Sequence, residues 1–502
     1  MSRGLAGLDR RAVMGGLAAS TAALTAKSQP LLGLRPALAG AAVEVNVRTL
    51  GADPMGNADS TDAFHAAAKA IESAGGGRLI IPPGRYRVGR QSFAGGRGKG
   101  HAFASEDVVS IAHCQAPVEI EADGVTMFLT EGLRFGAFDP ETGQAFQTPK
   151  LPFTQGDYTA SLPTFFSLSD NADVRITGML SLDGAIERQT IGGQWGDTGW
   201  QIPAYGVRAY NNRAFSLKGL RSRGQGVDDL LIGWQGLKDG APPYPHVIED
   251  VQGLGAGRNG LSWVGGNSLR LTDARFEKAG GRDGGPVASS PGAGIDIEAE
   301  SAVCRSGVFQ RVVCADNLGV AIVADSGDSA DCRFSDCQFV GSVNWSAWPR
   351  KPRYRFERCQ FVGPMVNLYG AADPADALAF IDCEHTLDVA RSPAGAVYPH
   401  VSDFTSGKGA LWQGGSVDLA AMSSFNSAGG PGGTRWKDTK ISGAGASCYA
   451  RGVFEGEVAI DFPDGVWDPG GQAVIEGVVR VNARRGASGP VASAVIQGPA
   501  TR

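Results

Sequence analysis

The chain has 502 residues, 73 of them glycine, with only 19 % charged residues and a net charge of −5. That charge excludes an extended nucleic-acid surface or a basic membrane face, so an acidic partner has to be met by local Arg and Lys. Sparse charge, abundant glycine and short aliphatic runs predict many short strands joined by many turns.

At the N-terminus, "LDRRAVMGGLAASTAALTA" places Arg10 and Arg11 ahead of a mildly apolar Ala/Gly run. "RPALAGAA" follows, with Ala37 and Ala39 spaced as at a cleavage site. Residues 1–39 read as an export signal of the twin-arginine type, with the mature chain starting near Gly40 and destined for the periplasm or beyond. The run is too short and too rich in Gly and Ala for a membrane anchor. In "STDAFHAAAKAIESAGG" (60–76), Ser60, Thr61 or Asp62 can cap a helix. Phe64, Ala68 and Ile71 share one face of it, and glycines end it. "RLIIPPGRYRVG" (78–89) is strand, Pro-Gly turn, strand.

The stretch "VRTLGADPMGNADSTDAFHAAAKAIESAGGGRLIIPPGRYRVG" (47–89) resembles the opening of the rhamnogalacturonase/epimerase-like pectate lyase superfamily. It carries that family's Gly-Ala-Asp turn, Asp-Ser-Thr-Asp helix start and Pro-Pro-Gly-x-Tyr strand. The resemblance implies an all-β, right-handed parallel β-helix that acts on polysaccharides, with the helix capping its first coil. It implies a fold more firmly than a reaction.

Further along, small apolar residues recur in one slot: Met179, Leu220, Val251, Ala274, Cys314, Cys337, Cys359 and Cys383. Spacings near two dozen residues are those of a solenoid coil. The eight cysteines then read as buried and reduced, stacked in a ladder, rather than as disulfides or metal ligands. Longer steps mark insertions: "GGQWGDTGW" (192–200), "WQGLKDGAPPYP" (234–245) and "KAGGRDGGPVASSPG" (278–292). Loops raised from a rigid stack are where binding and catalysis gather.

The strands "VDDLLIGW" (227–234), "RNGLSWVG" (258–265), "GAGIDIEA" (292–299) and "NLGVAIVA" (317–324) align. In an alternating pattern, Leu230, Ile232, Leu261, Trp263, Ile295, Ile297, Val320 and Ile322 point inward. The outward set is Asp229, Gly260, Ser262, Gly294, Asp296, Glu298, Gly319 and Ala321, with Glu300 next after Glu298. This predicts a floor of tiny residues, with room for a chain, flanked by carboxylates. Crowded carboxylates raise one another's pKa, and a nearby Arg keeps a partner ionised. The catalytic candidates are therefore Asp228, Asp229, Arg258, Asp296 and Glu298. Asn259, Lys278, Asp316 and Asn317 enter from the sides, and Trp195 and Trp200 offer indole faces to sugar rings. "GVDDLLIG" also resembles the paired-Asp motif of polygalacturonase-type hydrolases. That resemblance implies acid/base roles for Asp228 and Asp229 and makes Asp183 of "LSLDG" the acid of the preceding coil. The chain departs from that pattern in having no Asn-Thr-Asp, Gly-His-Gly or Arg-Ile-Lys. A lyase would instead need a base and a cation, with Arg258 or Lys278 as charge clamp; Asp296 and Glu298 could then hold Ca²⁺ or a sugar hydroxyl. No cofactor is otherwise implied.

Beyond residue 400 the slot fades, leaving either further coils or a small closing β unit. The sequence thus predicts an exported polysaccharide lyase or glycoside hydrolase acting on a uronate-containing polymer. A non-catalytic carbohydrate-binding protein and a polymer-level epimerase are the alternatives, and the oligomeric state stays open.

Overall fold

The chain winds through successive coils in which each strand pairs in parallel with its counterpart one coil on, as in Val174↔Phe215, Phe215↔His246 and His246↔Leu269. The computed structural model describes residues 43–498 apart from 148, 282–284, 342–343, 388–400, 421–423, 444–446, 468, 470 and 485–490. The expected parallel β-helix is what forms. The expected export segment lies outside the described residues, and among those described no helix is long and apolar enough to cross a membrane.

Helix α1 (Thr61–Ser73) buries Phe64, Ala67, Ala68 and Ile71 against the first coil, where Phe64 meets the Tyr86 ring edge-on at 5.6 Å. Ser60 occupies the N-cap position as expected, but its side chain makes no cap bond; the Asp59 carboxylate accepts the Thr61 N–H at 2.9 Å instead. A helix laid over open strand edges removes the pairing surface they would present.

Inside the coils identical residue types stack. Phe309, Phe334, Phe356 and Phe380 lie on successive coils with ring centroids 4.6, 4.5 and 5.3 Å apart, and Trp412 continues the row at 4.7 Å. All eight cysteines are free and buried. Cys337, Cys359 and Cys383 form the expected ladder, because Gln338, Gln360 and Glu384 pair in register one residue later. Two members of the slot differ. Val313 faces Gln338, so Val312 precedes Cys337 in the column while Cys314 lies beside Phe276. Leu180, not Met179, pairs with Leu220; Met179 is an extra residue after Gly178 and stands 41 % exposed. Where the wall turns a corner, one residue per coil sits at positive φ: Asp250, Asp273 and Arg311 within long strands, Asp336 and Arg358 between two short ones. The cost of that conformation is low for Asp, and its carboxylates meet arginines of the next coil, Asp273 with Arg311 at 2.6 Å and Asp336 with Arg358 at 2.7 Å.

One wall of the solenoid carries the residues of interest. It is an eight-stranded parallel sheet of β1 (Val109–Ala112), β2 (Phe166–Ser169), β3 (Val207–Tyr210), β4 (Leu230–Gly233), β5 (Leu261–Trp263), β6 (Ile295–Ile297), β7 (Ile322–Ala324) and β8 (Ala347–Pro349). Beside it, before β3, residues 91–105, 134–137, 159–160 and 190–191 build a separate five-stranded sheet that the repeat pattern gave no sign of.

After residue 400 the coils continue, Leu411 onto Arg435 and Arg435 onto Val453. The last strand, Val491–Gln497, runs antiparallel along Val478–Arg484.

Candidate active site

The outer row of this wall, read through the pairings, is Ser110, Ser167, Arg208, Leu231, Ser262, Asp296, Val323 and Trp348. Ser262 and Asp296 were expected here, and alternation places them correctly: Ile295 and Ile297 go into the core and Asp296 goes out. The fourth strand is corrected by two residues. Ile322, not Val320, pairs with Ile295, so Val323 takes the outer row and Ala321 turns into the core.

The glycine floor is corrected as well. A Cβ on Gly260 would lie 2.5 Å from Phe276 ring atoms, and one on Gly294 would lie 2.6 Å from Cys314 Cβ. These glycines are small because the opposite wall presses on them from inside, not to admit a ligand. Asp229 occupies the same column and likewise faces in. It is 1 % exposed and accepts the Ser222 hydroxyl at 2.6 Å, and burial pushes its pKa well above the ordinary value. These residues precede the strands, at the corner of each coil, where alternation has not yet begun.

Asp228 is buried, and its carboxylate takes Arg258 Nε at 2.9 Å, Arg258 Nη2 at 2.6 Å and the Asn259 N–H at 3.1 Å. Three donors occupy it, so its work is to fix Arg258. The paired aspartates therefore present no oxygen to a substrate. Burial opposes charge on Arg258, but Asp228 outweighs it and holds the guanidinium charged. Asn259 Nδ2 donates to Ser262 Oγ at 3.0 Å and to Asp296 Oδ2 at 3.1 Å, while its Oδ1 accepts the Ala293 N–H at 2.9 Å. Its side chain joins two coils, and its N–H on Asp228 joins a third.

Along "IDIEAE" exposure grades outward: Asp296 is buried, Glu298 half-buried and Glu300 exposed. Burial, then the Glu298 charge, push Asp296 well above the ordinary carboxylate pKa. Glu298 accepts the Ser326 hydroxyl at 2.9 Å. Calcium takes six to eight oxygens, and among the described residues no three acidic, His or Cys side chains gather as metal ligands.

Beside this row opens a cavity of about 460 Å³, lined among others by Tyr205, Arg208, Tyr210, Arg258 and Glu300. Arg208 stacks on the Tyr210 ring with 5.1 Å to the centroid and makes no ion pair among the described residues. Burial, then the Asp228 charge, push the Tyr205 hydroxyl up to about 12. Tyr205, Arg208 and Tyr210 were missed because the aligned strands began one coil too late. Carrying the outward register back to "YGVRAY" would have found Arg208 and Tyr210.

Other expected residues lie elsewhere. Asp183 is on a different wall, bound by Arg223 at 2.5 Å and Arg188 at 3.1 Å. Asn317 is interior: its Oδ1 accepts the Ala279 N–H at 2.9 Å and its Nδ2 donates to the Phe276 carbonyl. Lys278 and Asp316 hold positive-φ turn positions on neighbouring coils, off the outer row. Trp195 and Trp200 donate their indole N–H groups to the carbonyls of Gln155 and Gly192 and pack, half-buried, against the main core.

The insertions flank the row. Loops 192–200 and 278–292 are tied together, Ser290 N–H to the Thr198 carbonyl at 3.1 Å and Trp200 N–H to Ser289 Oγ at 2.7 Å. On the other flank Leu237 of the 234–245 loop packs on Ala302 and Val303.

No family model matches the chain, and no curated protein does. Among solved structures, the A-module of Azotobacter vinelandii mannuronan C-5 epimerase AlgE4 aligns at 14 % identity and TM-score 0.38, over 86 % of this chain and 100 % of that one. An exopolygalacturonase of Thermotoga maritima aligns at 12 % and 0.31, over 91 % and 94 %. The tailspike gp49 of Acinetobacter baumannii bacteriophage Fri1, a capsular polysaccharide depolymerase, aligns at 12 % and 0.34, over 90 % and 65 %. At such identities the likeness is one of fold alone: the chain is a parallel β-helix.

Proposed function

We propose that the protein is an exported enzyme that cleaves a carboxylate-bearing polysaccharide by β-elimination in the groove over β3 to β6. One observation carries the reading: Arg208, Arg258, Tyr205 and Glu300 line a single cavity on the outer wall. Elimination beside a uronate carboxyl needs a cation on that carboxylate, a base for the neighbouring C–H proton and an acid for the leaving oxygen. Arg208, with no carboxylate partner among the described residues, supplies the cation. Tyr205 keeps its proton at neutral pH and is the donor. Glu300, exposed at the cavity rim, is the base. The proton passes from carbon to Glu300, the C=C bond forms as the glycosidic C–O bond breaks, and the leaving oxygen takes the Tyr205 proton; water then restores both groups. A hydrolase built on Asp228 and Asp229 is disfavoured, because both are buried, Asp228 under Arg258 and Asp229 against Ser222.

The test is to incubate the chain from Gly40 onward with polygalacturonate, alginate and other acidic polysaccharides, following unsaturated uronate by ultraviolet absorbance together with reducing ends. Both rising supports elimination, and reducing ends alone replace it with hydrolysis. A changed sugar composition without new ends indicates an epimerase, and binding without any change a carbohydrate-binding protein. Arg208→Ala is expected to lower kcat/KM about a hundredfold with an unchanged melting temperature.

A further inference from the structure

The outer row does not stop at Asp296. Beyond it come Val323 and then Trp348, each one strand further along the axis. With parallel strands about 4.8 Å apart, Trp348 stands roughly 10 Å past Asp296 and about 24 Å from Arg208 at the other end. Trp345 meets Trp348 edge-on, centroids 5.0 Å apart and planes at 88°, so the two indoles make a corner. Beneath them Ala293, Val320 and Val323 form an apolar cluster separate from the interior core. Both tryptophans are half-buried, and Trp348 belongs to the outer row that runs past the cavity.

We propose that Trp345 and Trp348 form a distal sugar subsite of the groove, which stacks the apolar face of a pyranose ring two coils beyond Asp296. The proposal rests on the reading of the groove as a polysaccharide site and adds a direction: the polymer lies parallel to the solenoid axis, its carboxylates toward Arg208 and a later ring on the indoles. The occupant follows from the chemistry along the row. Cations and hydrogen-bonding groups at one end suit acidic sugars, and flat aromatic faces at the other suit the C–H face of a ring.

The experiment titrates wild type, Trp348→Ala and Trp348→Phe with oligogalacturonates and alginate oligomers, dimers against octamers, by calorimetry. The expected result is octamer affinity about tenfold weaker in Trp348→Ala, dimer affinity unchanged, and most of the octamer affinity regained in Trp348→Phe, which keeps a ring and the packing on Val323. Equal octamer affinity in Trp348→Ala and wild type overturns the subsite, as does equal weakening of dimer and octamer. Wild-type binding to neither series overturns it too. Octamer binding that depends on Trp348 without turnover in the wild type removes the enzyme reading and leaves the subsite standing.

Discussion

At Asp296 the surroundings change the chemistry of the side chain. Folding raises its pKa above the ordinary value of 3.8, so between that value and the raised one the folded chain holds a proton that the unfolded chain has released. By linkage, stability falls as pH rises through that window. Asp296→Asn keeps the acceptor for Asn259 without the ionisation, so its melting temperature is expected to exceed that of the wild type at neutral pH and to match it near pH 3, as measured by calorimetry across pH. At Asp228 the same Asp→Asn change is expected to destabilise the fold. It is buried and pairs Arg258 through two hydrogen bonds; Asp228→Asn removes the countercharge of a largely buried guanidinium and is expected to cost about 3 kcal/mol in a denaturant titration. If that substitution instead leaves stability unchanged while abolishing turnover, Asp228 acts on substrate directly and its assignment as the anchor of Arg258 is wrong.

At the scale of the element, the corner where each coil enters the site sheet decides which faces are which. Gly260 stands at such a corner, with Phe276 filling the space a Cβ would need. Gly260→Ala forces a methyl group into that contact, with an expected loss of about 2 kcal/mol, read as a lower thermal midpoint with the oligomer affinity of the remaining folded protein intact. The same corner explains how much of the site was legible. Asp296 and Ser262 were placed correctly because alternation holds inside a strand, and Asp229, Gly260 and Gly294 were misplaced because it was extended one residue past the strand start. Arg258 and Asn259 were recognised by position, yet Asp228 and Asp229, adjacent in sequence, divide between an ion pair and the core. The fourth strand slipped by two because the turn "DNLGV" is longer than its counterparts, a feature that no periodicity records. The five-stranded side sheet has no repeat to betray it. The capping helix, the coil period and the buried thiols were readable because each rests on a local pattern: a helical face, a recurrent spacing and a small apolar slot.

At the scale of the whole molecule, a solenoid must close both of its ends. Helix α1 covers the first coil, and the antiparallel strand Val491–Gln497 pairs along the last. Truncation after Arg484 bares a long strand edge and is expected to turn the protein into concentration-dependent aggregates seen by light scattering, whereas the full chain stays dispersed. Between the ends, floor and sides of the groove have separate origins: the floor comes from the stacked strands, and one side from loops 192–200 and 278–292 fastened to each other by Ser290, Thr198, Trp200 and Ser289. Those two loops are distant in sequence but joined in space, so neither can be exchanged without its counterpart. A graft of this side onto another solenoid would have to transplant them as a matched pair, and could do so while leaving the column of rungs beneath untouched.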